Sequence, residues 1–162
     1  MKFIIVFFMS LLIVGCIASN PITEQEVDTI SKKYNLTGDS KEIQKCHLYY
    51  RLQDRQGYCA ITTSEFLFFL GKNTKNIDSA AYRKFEISDI KKVGLKGKMR
   101  LLQVQIQTKT DFIVFSVTPN YPFVDRSLTR SWYQRLIDSG VSTYKPTMYY
   151  ETPPTQYKIK VN

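Results

Sequence analysis
The chain is poor in the side chains that do chemistry. Among 162 residues it has one histidine, His47, one tryptophan, three cysteines, and 14 acidic residues against 23 Lys and Arg. A hydrolytic triad needs its imidazole beside an exposed nucleophile and a carboxylate, and no G-x-S-x-G elbow occurs. There is no H-E-x-x-H, no Cys-x-x-Cys and no pair of carboxylates at a workable site, so no metal is expected. Seven glycines are scattered along the chain. They form no loop that could cradle a phosphate or dinucleotide, and no cofactor is expected. These absences argue against an enzyme and leave no catalytic residue to name. His47 reads as a strand-surface or hydrogen-bonded residue rather than a base.

What is abundant is apolar and basic. Hydrophobic residues make up 43% of the chain and aromatic residues 14%. That is enough to build one globular domain with a sizeable core. The formal net charge is +9. A surplus of that size favours anionic lipid head groups, acidic polymers or an acidic partner.

The N-terminus carries a targeting pattern. Lys2 is followed by an apolar run from Phe3 to Val14, interrupted only by Ser10. The run has the length of a signal-peptide h-region and is short for a membrane span. Ile13-Val14-Gly15-Cys16 at its end resembles a bacterial lipobox. The resemblance implies cleavage before Cys16 and acylation of its thiol, with 1–15 as signal peptide and 16–41 as tether and short helix. The alternative is ordinary secretion, with cleavage after Ala18 or Ser19. Loss of 1–15 removes only Lys2, so the mature chain carries 22 basic against 14 acidic residues, net +8. The lipoprotein sorting rule, with Ile17 rather than Asp after Cys16, implies the outer membrane, facing the periplasm. Nucleic acid suits the charge but not that compartment, and none is expected. Cys46 and Cys59 are an even pair in an oxidising setting. A disulfide and two buried free thiols are both open, because spacing cannot supply the required Cα separation.

Further along, Thr23-Glu24-Gln25-Glu26 reads as a capping box opening a helix that runs to about Tyr34. Cys46 to Leu52 suits a strand, with a short helix as the competing reading. Asp54-Arg55-Gln56-Gly57 has the composition of a turn. Tyr58 to Thr62 and Glu65 to Leu70 are β-rich around a Thr63-Ser64 bend. Tyr82 to Ile87 alternates, and Asp89 to Leu95 continues extended. Gly94 and Gly97 are expected to bracket a basic turn. Leu102, Val104 and Ile106 alternate with Gln103, Gln105 and Gln107. With Phe112 to Val117 they form a β-hairpin around Lys109-Thr110-Asp111. Asp125 or Ser127 can cap a helix whose stripe is Leu128, Trp132 and Leu136, stopped at Gly140.

Short antiparallel strands followed by one amphipathic helix give an α+β order. The stretch Tyr58 to Phe69 is similar to the Tyr/Leu-x-x-Thr-x-x-x-hydrophobic run of GRAM and bacterial pleckstrin-homology (PH) domains. Phe85 to Val93 resembles their Asp-Ile-x-x-Val strand, and Phe112 to Val117 with the Trp132 helix their closing elements. The resemblance covers Cys46 to Val141 and assigns 42–141 to the domain. It implies a bent antiparallel β-barrel capped by a C-terminal α-helix, with Trp132 and Leu136 as plugs. Lys91, Lys92, Lys96, Lys98 and Arg100 form a basic run around a turn that either faces an anionic ligand or is a solvated turn flanking a strand. The Pro- and Tyr-rich tail, 142–162, docks on a partner, lies along the domain or is disordered. The expected function is a membrane-anchored, non-enzymatic module binding protein or anionic lipid. The alternatives are an inhibitor or immunity-type protein, or a cell-wall-directed enzyme.

Overall fold
A computed structural model gives the fold, and it describes residues 21–36, 42–50, 53–70, 82–120 and 123–150. A short helix, α1 (Glu24–Lys33), precedes seven strands: β1 (Glu42–Tyr50), β2 (Gln53–Ile61), β3 (Glu65–Leu70), β4 (Tyr82–Glu86), β5 (Ile90–Lys98), β6 (Leu101–Thr108) and β7 (Phe112–Val117). A single 3-10 turn, Ile87–Asp89, links β4 to β5, and α2 (Arg126–Asp138) follows the sheet. The strands form one antiparallel sheet in the order β4-β3-β2-β1-β7-β6-β5. The sheet curls over the apolar face of α2, which is the PH-like α+β architecture.

Alternation along the strands divides the core in two. Inside the curl lie Cys46, Leu48, Cys59, Ile61, Phe66, Phe68, Val93, Val104, Ile106, Phe115 and Val117, packed against Trp132 and Leu136 of α2. The Trp132 ring meets Phe66 and Phe115 edge-on, at centroid distances of 6.4 and 5.9 Å. On the outer face, Tyr58, Ala60, Leu67 and Phe69 of β2 and β3 are covered by Ile30 and Tyr34 of α1.

Both helices are delimited by their own sequence. Thr23 and Glu26 complete the capping box, with Thr23 Oγ1 accepting from the Glu26 amide at 3.2 Å and Glu26 Oε2 from the Thr23 amide at 2.9 Å. Asp125, not Ser127, caps α2 by accepting from the Leu128 amide at 2.9 Å. Each helix ends in a Schellman motif with its C′ residue at positive φ. Asn35 (φ 48) fills that place after α1 and Gly140 (φ 88) after α2. The Leu36 amide donates to the Ser31 carbonyl, and the Val141 amide to that of Leu136.

Two sequence expectations are corrected. Asp54-Arg55-Gln56-Gly57 is not a turn; it lies inside β2 and pairs with Cys46 to Tyr49 of β1. Its glycine serves a close approach, since a Cβ on Gly57 would stand 2.2 Å from the Phe69 carbonyl oxygen. Gly94 and Gly97 do not bracket a turn; both lie within β5, and the connection is Met99-Arg100. At Gly94 the space a Cβ would take is filled by the Pro146 ring, 2.5 Å away.

That proline belongs to an extended strap, 142–150, laid across the outer face of β5, β6 and β7. The Val93 amide donates to the Ser142 carbonyl and the Tyr144 amide to the Val93 carbonyl. Gln105 donates to the Met148 carbonyl and accepts from the Tyr144 hydroxyl; Gln103 both donates to and accepts from the main chain of Tyr150. The strap therefore buries Gln103 and Gln105, which alternation alone places on a polar face. Residues 151–162, the rest of the Pro- and Tyr-rich tail, lie outside the described part, as do Cys16 and the signal-like segment.

One contact joins α1 to the sheet through a titratable pair. The Tyr58 hydroxyl donates to Glu26 Oε1 at 2.8 Å. Partial burial works to raise the Glu26 carboxyl. Bonds from the Thr23 amide, Tyr58 and the Thr23 hydroxyl, with the charge of Lys45, outweigh it, and the net shift is downward. A carboxyl held below its ordinary 4.5 supplies stability that is present above that pH and is lost as pH falls through the folded-state value. Tyr58→Phe is therefore expected to cost about 1 kcal/mol near neutral pH, the low end for a bond to a solvent-accessible charge. Urea midpoints followed from pH 7 downward check this: the gap between wild type and variant should narrow as pH falls through the folded-state value of Glu26.

Candidate functional site
The basic run occupies an edge of the sheet. Lys91, Lys92, Lys96 and Lys98 are on β5, whose strand partner among the described residues is β6, with a single bridge from Val93 to Thr143 of the strap, and Arg100 is in the β5–β6 turn. Lys91, Lys92, Lys98 and Arg100 are exposed and Lys96 half-buried. The bulge between Ile90 and Lys92 breaks the alternation. Beyond it Val93 and Leu95 turn inward, while Lys92, Lys96 and Lys98 share the outer face with Gly94 and the strap. No acidic residue occurs between positions 90 and 110. Lysines on an edge strand also discourage pairing with a second sheet.

The turn is tied to α2. Arg126 Nη1 donates to the carbonyl oxygens of Met99, at 2.9 Å, and Leu101, at 3.2 Å. The Ser116 hydroxyl donates to the Leu102 carbonyl at 2.7 Å, so the end of β7 lies beside the start of β6. The basic turn, the outlet of β7 and the N-terminus of α2 thus share one end of the domain. Arg126 adds a cation that sequence spacing does not connect with the run, because it arrives from a separate element.

The remaining sequence-marked residues lie elsewhere. Cys46 and Cys59 are fully buried, free thiols on β1 and β2. In the register Cys46 faces Gly57 and Cys59 faces Gln44, so the cysteines are diagonal neighbours. Burial, together with the hydrogen bond and proximity of Cys46, pushes the Cys59 thiol up. That is the reverse of what a reactive thiolate requires. His47, on the outer face of β1, stacks on Tyr49 with ring centroids 4.6 Å apart. Among the described residues no group of three His, Cys, Asp or Glu side chains is placed to hold a metal ion. No described helix is long and apolar enough to cross a membrane.

No protein-family model matches the chain, and no curated protein matches it. Among solved structures it is similar to the hSac2 domain from human phosphoinositide phosphatase Sac2, at 10% identity and a TM-score of 0.48. That alignment covers 84% of this chain and 98% of the other. It is also similar to a chain in the structure of the Spt16D Pob3N heterodimer, at 10% identity and a TM-score of 0.46. Here 68% of this chain and 57% of that chain are covered.

Proposed function
We propose that this chain is an envelope lipoprotein, anchored through acylated Cys16. Its PH-like domain acts as a non-enzymatic binding module for protein or anionic lipid at the membrane surface. The observation that carries the reading is the basic edge: Lys91, Lys92, Lys96, Lys98 and Arg100 on one strand and its turn, joined by Arg126. The absence of Asp after Cys16 supports the outer membrane, with the domain in the periplasm.

Two measurements test this. The intact mass of the N-terminal peptide from the membrane fraction should show a diacyl or triacyl Cys16. An unmodified peptide starting at Ser19 or Asn20 would replace the anchor with free secretion. Binding of the unacylated mature chain to anionic vesicles should weaken with salt. Lys→Ala changes at 91, 92, 96 and 98 should each lower partitioning about fivefold, since a basic residue near an anionic surface contributes about 1 kcal/mol. Vesicle binding that ignores both salt and these changes would eliminate the lipid arm and leave an acidic protein partner.

A further inference from the structure
Apolar side chains gather where the cations do. Among the described residues four large apolar side chains are exposed: Met99 (93%), Phe123 (68%), Met148 (58%) and Leu101 (40%). Three of the four lie at the β5–β6 end. Met99 is the tip of the turn, and Leu101 opens β6 two residues later. Phe123 lies on the connection leaving β7, three residues before Arg126, whose guanidinium clasps the carbonyls of Met99 and Leu101. Scattered exposed apolar residues need no explanation, but a group at one end ringed by cations does.

The backbone at the tip adds an independent observation. Met99 sits at φ 51, in the left-handed region. A glycine would adopt that conformation freely, whereas a side chain there costs on the order of 1–2 kcal/mol. Fold stability therefore does not account for methionine at this position. The turn holds a flexible apolar side chain out in solvent, and Arg126 fixes the backbone that carries it. Lys98 and Arg100 flank Met99, and exposed Arg130 follows Arg126 one turn along α2. The nearest carboxylate in sequence, Asp125, is already engaged by the Leu128 amide.

We infer that Met99, Leu101 and Phe123 form an insertion tip that enters the interfacial region of an anionic bilayer, with Lys98, Arg100, Arg126 and Arg130 contacting lipid head groups around it. Apolar residues below a cationic collar are the arrangement by which peripheral elements seat at the headgroup–acyl boundary. The occupant is a bilayer rather than a soluble anion, since a soluble anion has no use for three exposed apolar side chains. The inference rests on the membrane-surface reading above and narrows it from the whole basic edge to one end of the domain.

The test places a reporter at the tip. The sole tryptophan, Trp132, is fully buried and supplies a constant background. Full-length Met99→Trp is reconstituted into vesicles of phosphatidylcholine, with or without phosphatidylglycerol, carrying either a dansyl head group or a doxyl-labelled acyl chain. Phe123→Trp is a second reporter should the first disturb the turn. Insertion predicts blue-shifted emission, energy transfer to dansyl and quenching by doxyl in the anionic vesicles. Adding Lys98→Glu and Arg100→Glu should abolish the anionic preference. Energy transfer without quenching at either reporter would overturn insertion while leaving head-group contact intact. Neither signal at either reporter would overturn both insertion and the lipid reading, leaving this end to a protein partner.

Discussion

Trp132→Ala is expected to destabilise the protein by about 3–5 kcal/mol, the range for deleting a large buried aromatic. A single domain commonly has only 5–15 kcal/mol in total, so the variant should be partly unfolded under mild conditions. The reason is geometric. Trp132 is fully buried, and α2 uses it to fill the hollow of the curled sheet between Phe66 of β3 and Phe115 of β7. Those strands stand on opposite sides of β1 and β2 in the sheet order, so one side chain joins its two halves. Removing it leaves a void bordered by two aromatic rings that cannot close without flattening the sheet. Trp132→Phe should cost much less. The indole Nε1 is buried without a hydrogen-bond partner, so phenylalanine forfeits no bond and removes an unsatisfied donor. Urea denaturation followed by far-UV circular dichroism separates the two variants. An alanine variant within about 1 kcal/mol of wild type would contradict the role of the side chain as the plug, given the range expected for such deletions.

The same residue shows what the sequence made legible. The Leu128-Trp132-Leu136 stripe, its Asp125 cap and the Gly140 stop are local patterns, and local geometry settles them. The capping box at Thr23 and the hairpin of β6 and β7 were readable for the same reason. The corrections all involve distant parts of the chain. Gly57 looks like turn chemistry because glycine and its polar neighbours usually mark a turn; its actual cause is a carbonyl of β3. Gln103 and Gln105 read as a polar face and become buried only because the strap, some forty residues later, uses their carboxamides. The candidate site divides likewise. The basic run is visible as composition. The contributions of Met99, Phe123 and Arg126 depend on exposure and on one helix reaching a turn from another part of the sequence, which periodicity does not encode.

Gly57→Ala is expected to be the most damaging single-methyl addition, at about 3 kcal/mol, the upper end of ordinary overpacking costs. The new Cβ would stand 2.2 Å from the Phe69 carbonyl oxygen and 2.7 Å from Leu48 Cδ1. The leucine can change rotamer. The carbonyl cannot yield alone, because it belongs to a strand whose backbone is paired on both sides, to β2 and to β4. Relief therefore requires β3 to separate from β2 near the Gly57–Leu70 pair or the local register to shift. Either movement displaces Phe69, which stacks on Tyr58 at 5.0 Å and lies 5.1 Å from Tyr34. The strain should thus pass to the α1 contact as well as the sheet. Hydrogen exchange distinguishes this from uniform loosening: amides of β2, β3 and α1 should lose protection first, while β5 and β6 stay near wild type. Faster exchange spread evenly through all seven strands would mean that Gly57 acts on the core as a whole. Unchanged exchange would mean that the β2–β3 approach has more room than this geometry allows.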